Sequence, residues 1–232
     1  MSKKLEGKVA VITGASKGIG AQIAKRFASE GARVVVNYAR SKDAAEKVVS
    51  TIKAEGGDAV AVQADVRNRG EVTALFKETQ EAFGPADILV NNAGVYRFAP
   101  LEAVDENHFR DQFDLNVLGL IYATQEAVKQ FDGRGGNIIN ISSVVGSTPA
   151  APGGLVYSAT KAAVDNITRE LALELNAPAS VASAFAALRT QFPVLEHFGN
   201  SLLFAVNEEH SRLDDSVKDG DTLAIFPPVS GG

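Results

Sequence analysis

At 232 residues the chain has room for one domain of ordinary size, or one domain with a small appendage. A hydrophobic fraction of 45% supports a real core, and zero cysteines exclude disulfides, thiolate metal sites and cysteine nucleophiles. The net charge of −5 comes without a basic stripe, which argues against nucleic acid as a partner. No apolar run approaches the roughly 20 residues that span a bilayer, and the start Met1-Ser2-Lys3-Lys4-Leu5-Glu6 lacks a signal peptide's apolar stretch. The expectation is a cytoplasmic protein without a membrane partner. Charge is uneven, because residues 178–232 hold 3 basic and 7 acidic side chains and so most of the excess.

In chain order, Lys8–Thr13 is an apolar run of the kind buried on both faces of a parallel sheet. A glycine-rich turn follows, then a helix from Ile19 to Glu30 with the stripe Ile19, Ile23, Phe27. Arg33–Asn37 is a second strand, Ser41 caps a helix through Glu55, and Asp58–Ala64 is a third strand. Asn68 and Glu71 have capping-box spacing ahead of a helix carrying Val72, Leu75, Phe76 and Phe83. Asp87–Val90 is a fourth strand, Asp105–Phe131 one long helix, Asn137–Ile141 a fifth strand and Leu155–Leu175 a helix. Alternation at this length predicts an α/β class, a doubly wound parallel sheet.

The turn Thr13-Gly14-Ala15-Ser16-Lys17-Gly18-Ile19-Gly20 sits between a strand and a helix, where glycines let backbone approach phosphates and the helix offers free N–H groups. Gly14, Ser16, Gly18, Ile19 and Gly20 are therefore candidate cofactor contacts. The end of the second strand reads Asn37-Tyr38-Ala39-Arg40, with no acid for a ribose 2′-OH. Lys17 and Arg40 suit a 2′-phosphate instead, favouring NADP over NAD, unless both are merely solvated surface charges. Asp65, ending the third strand, would accept from the adenine amino group.

Tyr157 and Lys161 lie four apart and stack on one helix face. An ammonium one turn away lowers the tyrosine's pKa from near 10, and Ser143 ends the fifth strand where open α/β sheets keep their sites. Taken alone, such a pair is often only a helix surface. The three histidines, His108, His197 and His210, are isolated, so no metal is expected.

With these motifs in order, namely Thr13–Gly20, Asp65-Val66, Asn91-Asn92-Ala93-Gly94, Asn116 in Leu-Asn-Val, and Ser143 with Tyr157 and Lys161, the chain resembles the short-chain dehydrogenase/reductases over residues 1–176. The 3-oxoacyl-(acyl carrier protein) reductase branch is the nearest in pattern. The resemblance implies a small-molecule carbonyl substrate interconverted with a secondary alcohol, with Tyr157 as proton donor and Ser143 as carbonyl polariser. It implies that Lys161 binds the nicotinamide ribose and lowers the tyrosine pKa. Asn116 would hold a proton-relay water, Asn91 would brace the sheet, and Val66, Ala93 and Gly94 would line the cofactor. Without the family, Asn91 and Asn116 read equally well as buried amides that satisfy backbone. Relatives also pair through helices matching 105–131 and 155–175, implying a homodimer.

The pattern then breaks. Where the family supplies a sixth strand, a threonine-bearing loop, a substrate helix and a seventh strand, this chain has a helix with Val181, Ala184, Phe185 and Leu188 on one face, then strand-like runs at Leu202–Val206 and Thr222–Phe226. Phe204-Ala205-Val206-Asn207, Asp219-Gly220-Asp221 and the closing Pro-Pro-Val-Ser-Gly-Gly resemble the small subunit of molybdopterin synthase, a ubiquitin-like sulfur carrier. That resemblance implies activation of Gly232 by a partner enzyme. The division expected is 1–177, a Rossmann domain truncated after its fifth strand and following helix, and 178–232, a partial β-grasp-derived α+β segment. Two truncated halves meeting near Asn176–Ser180 read as a chimera, active only weakly for want of a substrate lid, or an inactive cofactor-binding scaffold. Because the fifth strand would be an open edge, one tail strand is expected to dock beside it, with the helix Ser180–Phe192 as crossover.

Overall fold

Val9–Ile12 (β1) is buried at all four residues, as a strand covered on both faces requires. Around it Arg33–Tyr38 (β2), Asp58–Gln63 (β3), Ile88–Asn91 (β4) and Asn137–Asn140 (β5) form one parallel sheet in the order β3-β2-β1-β4-β5. The registers run Val9↔Arg33, Arg33↔Asp58, Ala10↔Ile88 and Ile88↔Asn137. The computed structural model describes residues 3–132, 134–148, 152–175, 179–191, 202–217 and 221–226. They fall in two compact units, Met1–Thr168 and Arg169–Gly232, with the division inside the helix Leu155–Leu175.

In the first unit, helices Gly18–Ser29 (α1) and Lys42–Ala54 (α2) contribute to an apolar cluster with Ala10, Ile12, Val34 and Val36 on one face of the sheet. Arg69–Phe83 (α3) and Gly119–Phe131 (α5) cover the other face with Val72, Leu75, Phe76, Ala123 and Ala127 against Val11, Val35 and Leu89. The helix expected over 105–131 is three pieces: Glu106–Phe113 (α4), a π turn at Asp114–Leu118, and α5. Leu155–Leu175 is α6.

Three local expectations are corrected. Ile19 does not face the core: it is 63% exposed, and α1 buries Gly20, Ala21, Ala24 and Ala28, the small side chains that let a helix lie close on a sheet. Asn68 does cap α3, accepting from the Gly70 and Glu71 amides, but the Glu71 carboxylate accepts from Asp65 N instead of closing the box. Ser41 precedes α2 without a side-chain capping bond.

The second unit has its own small core. Val181–Gln191 (α7) buries Val181 and Phe185 against Phe204, with Leu202, Val206, Val217, Leu223 and Ile225 around them. Leu203–Val206 (β7) pairs antiparallel with Glu209–Ser211 (β8) and with Leu223–Phe226 (β10), while Ala179–Ser180 (β6) pairs with Ser216–Val217 (β9). The expected docking of a tail strand on β5 is therefore wrong: β7 and β10 pair with each other, and β5 ends its sheet among the described residues. A local alternative explains this. Asn207 and Glu208 have φ of 51° and 71°, the two positive values of a type I′ turn, so β7 finds its partner two residues away. Asn207 also clasps β10, accepting from Thr222 N and donating to the Asp221 carboxylate. The junction 176–178, Asp219-Gly220 and Gly232 lie outside the described residues. Among those described, no helix is long and apolar enough to cross a membrane and no His/Cys/Asp/Glu group is placed to hold a metal.

Candidate active site

The glycine turn after β1 is built by polar side chains from three neighbouring strands. Thr13 is buried, and its Oγ1 accepts from Asn92 N and Ala93 N, both at 3.0 Å, while donating to Val90 O at 3.3 Å. Asn92 Nδ2 returns bonds to Thr13 O and Gly14 O. From the other side, Asn37 Oδ1 accepts from Gly14 N, and its Nδ2 donates to Val62 O and Ala64 O. Gly14 takes φ +62° where a Cβ would meet Ala93 Cα at 2.9 Å, so glycine is required both for conformation and for approach. Gly18, at φ +58°, has nothing within 4 Å of a Cβ and faces open space. That is the shape a phosphate needs at the N-terminus of a helix.

The turn lies in a cleft of about 620 Å³. Its walls include Gly14, Ser16, Lys17, Gly18 and Ile19, then Tyr38, Arg40 and Ser41, then Asp65, Val66 and Arg67, and on the far side Ala93, Gly94, Val95 and Tyr96. Gly20 is buried behind the turn. Ser41 and Arg67 are cleft residues the sequence did not single out. Arg67 grips Asp65 through Nε to both carboxylate oxygens, at 3.0 and 3.2 Å, and through Nη2. These bonds hold the Asp65 carboxyl below its usual range, against the opposing effect of burial, and raise Arg67 further.

The second group of residues hangs on α6. Lys161 is buried at 7% exposure, its Nζ donates to Ile141 O at 2.7 Å, and it lies 6.0 Å from the centre of the Tyr157 ring. Burial pushes its ammonium below the ordinary lysine value, and Asp165 pulls the other way. Tyr96 sets a ring edge against Tyr157 at 6.0 Å and against Phe98 at 6.2 Å. Ser143 opens the short turn Val144–Gly146, where its hydroxyl accepts from Val145 N. A Cβ on Gly146 would lie 2.9 Å from the Lys161 carbonyl carbon and 3.0 Å from Ala162 N, so this glycine keeps the Ser143 turn tight on α6.

Asn116, in the π turn, has no spare side-chain atom. Its Oδ1 accepts from Val95 N, and its Nδ2 donates to Val95 O and Thr160 Oγ1. Asn91 Nδ2 donates to Thr124 on α5 and to Asn140 on β5, and Asn140 passes the chain on to Thr168 of α6. Asn91 Oδ1 is buried without a hydrogen-bond partner among the described residues. It borders a cavity of about 10 Å³ also lined by Asn116, Ile141 and Lys161.

A parallel sheet with a glycine turn after β1 and a Tyr/Lys pair on the helix after β5 defines a nucleotide-dependent oxidoreductase class. The family model for short chain dehydrogenases matches residues 8–184, and the chain belongs to that family. A second model, the ThiS family, matches residues 157–232. An uncharacterized oxidoreductase of Methylorubrum extorquens is 56% identical over 172 residues, covering 74% of this chain and 68% of that one. A 3-oxoacyl-[acyl-carrier-protein] reductase of Staphylococcus aureus is 47% identical over 169 residues, covering 72% and 68%. A short chain dehydrogenase from Burkholderia cenocepacia, solved in complex with NADP, superposes with a TM-score of 0.69 at 38% identity, covering 74% and 70%. The chain spans 64–68% of the length of the curated relatives it matches.

Proposed function

We propose that the chain is an NADPH-dependent reductase interconverting a carbonyl and a secondary alcohol. The observation that carries this reading is Lys161, buried and pinned to Ile141 O beside Tyr157. An ammonium is costly to bury unless its charge is used. The cleft suits the cofactor: Gly14 and Gly18 would admit the pyrophosphate, and Lys17, Arg40 and Ser41, all in its lining, would bind the 2′-phosphate. Bound there, a nicotinamide supplies or removes the hydride at the carbonyl carbon.

The chain's own part is proton transfer and orientation. Ser143 would donate a hydrogen bond to the carbonyl oxygen and Tyr157 would give it a proton. Lys161, one turn away, would stabilise the phenolate left behind. With one N–H on Ile141 O, its ammonium has two donors left, for the cofactor's ribose and for a water. Since the Asn116 amide is committed to Val95 and Thr160, a relay water would fall to its main-chain carbonyl instead. The 10 Å³ cavity has about the room one water needs, and Asn91 Oδ1 is a ready acceptor there. Exposed Tyr96, Phe98, Val144 and Leu155, on the segments around Ser143 and Tyr157, favour an apolar carbonyl compound. The reading includes a cytoplasmic setting and pairing of two copies through α4–α5 and α6. Reduction of a panel of reactive ketones by NADPH tests it: wild type turns over and Tyr157→Phe does not. Equal rates in both would reject it.

A second reading rests on the ThiS-family match and on the separate core of Val181, Phe185 and Phe204. In it the segment 178–232 is a sulfur carrier of molybdenum-cofactor type, and Gly232 is its reactive end. Incubation with an activating enzyme and ATP, followed by mass spectrometry, checks it. An unchanged C-terminus removes the carrier role and leaves a fused, cofactor-binding chimera.

A further inference from the structure

Gln112 on α4 is 0% exposed, and nothing in the proposed chemistry uses it. A buried amide is costly unless its donors and acceptor are satisfied, and this one is committed chiefly to the main chain of a single residue. Its Oε1 accepts from Arg97 N at 3.0 Å, and its Nε2 donates to Arg97 O at 3.3 Å. Nε2 also lies 3.0 Å from His108 Nε2. With Oε1 facing the Arg97 N–H, the amide can only donate toward the ring, so His108 Nε2 is the acceptor.

Asn116, one turn on, makes the same pair of bonds to Val95 N and Val95 O. Four helical residues rise about 6 Å and two extended residues about 6.5 Å. Two amides one turn apart therefore match the main chain of alternate residues in an extended segment. Ala99, the next alternate residue, is tied as well, its N donating to Gly153 O at 3.1 Å ahead of α6. Tyr96 and Phe98 then fall together on the other face. They are 69% and 52% exposed, with rings 6.2 Å apart, and the Tyr96 ring meets that of Tyr157 edge-on at 6.0 Å. The Arg97 guanidinium adds a second tie to α4, pairing with Asp111 at 3.1 Å.

Resting on the reductase reading above, we propose that Gln112 is a positioning residue. With Asn116 it holds the segment 95–97 straight along α4, so that Tyr96 stands as a fixed wall beside Tyr157 against which larger carbonyl compounds are seated. His108 fixes the direction of the Gln112 amide. Gln112 itself lies outside the lining of the cleft, so its loss reaches the reaction only through the segment it holds. A ketone too small to reach the wall does not depend on it.

Gln112→Met keeps the side chain's length and removes its amide. In the full chain with ring-labelled tyrosines, the NMR cross-relaxation between the Tyr96 and Tyr157 rings is expected to be lost in this variant, and the Arg97 amide to exchange faster. With NADPH, the KM for an aryl ketone is expected to rise roughly fivefold, with kcat and the KM for butanone each within about twofold of wild type. Gln112→Asn, whose amide is one methylene short of Arg97, is expected to behave alike and serves if the first variant does not fold. In a Tyr96→Ala background the same replacement should raise the aryl-ketone KM no further. The proposal is overturned if a folded variant keeps the ring-to-ring signal, if KM moves alike for both ketones, or if the effect adds in full to that of Tyr96→Ala. If wild type reduces neither ketone, the reductase reading fails, and the NMR comparison still decides whether Gln112 holds Tyr96 in place.

Discussion

Replacing Thr13 with valine changes one hydroxyl to a methyl at nearly constant volume, at a residue only 2% exposed. The lost oxygen is the acceptor for two backbone amides, Asn92 N and Ala93 N, and the donor to Val90 O. An amide left without its acceptor costs about 1–3 kcal/mol according to its burial. Asn92 and Ala93 are half-buried, so the lower part of that range applies, and the bond to Val90 at 3.3 Å adds little. The expected loss is about 2–3 kcal/mol, or roughly 4–12 °C in melting temperature for a domain of this size. Urea unfolding followed by circular dichroism measures it directly. Binding of NADPH should weaken in parallel, because the same bonds hold the Asn92–Gly94 wall against the glycine turn. Thr13→Ser, which keeps the hydroxyl, should recover most of both. If Thr13→Val unfolds within about 0.5 kcal/mol of wild type, the polar tie between β1 and β4 is not what organises the turn.

Gly20→Ala would place a Cβ 2.5 Å from Asn92 Nδ2 and 2.9 Å from Gly14 O, and should cost about 1–3 kcal/mol of stability with a loss of NADPH affinity. Gly18→Ala, in open space but at φ +58°, makes a useful partner in the same titration. The buried Lys161 predicts a pH dependence of stability. Its folded pKa is lowered, so the folded state holds fewer protons than the unfolded state between that value and about 10.4, and stability rises with pH through that window. Lys161→Met should be more stable than wild type near neutrality, and the difference should close as pH approaches the ordinary lysine value. Parallel urea midpoints for the two proteins from pH 7 to 10 would contradict the burial argument.

The five parallel strands and their helices were legible because each is a β-branched run or an amphipathic repeat punctuated by glycine. The errors fall where that signal carries no information. Periodicity cannot separate a face that meets the core from one that meets a cleft, and so Ile19 was placed inward. The π turn at Asp114–Leu118 keeps the chain helical and changes only which residue faces where, which leaves no mark in composition. The hairpin at Asn207-Glu208 lacks glycine, and its Glu208 takes φ 71°, so β8 went unseen and one of the two tail strands was assigned to β5. At the candidate site, the glycines, Lys17, Arg40, Tyr157 and Lys161 stand out in the sequence by type and spacing. Thr13, Asn37 and Asn92 stand in the sequence only as members of motifs, and Arg67 in none, because their roles are hydrogen bonds to residues remote in sequence or hidden in a turn.

The side-chain chain Thr124–Asn91–Asn140–Thr168 has a mechanical consequence. β5 has four residues and, among the described residues, a single neighbouring strand, so little else fixes its register. A slip of one residue would turn Asn140 to the opposite face and break its bonds to both Asn91 and Thr168. The two amides thus act as a pawl that admits one register. Thr168 lies seven residues beyond Lys161 on α6, about two turns along a stiff rod. Locking the strand at one end of that rod sets the depth at which the ammonium sits at the other.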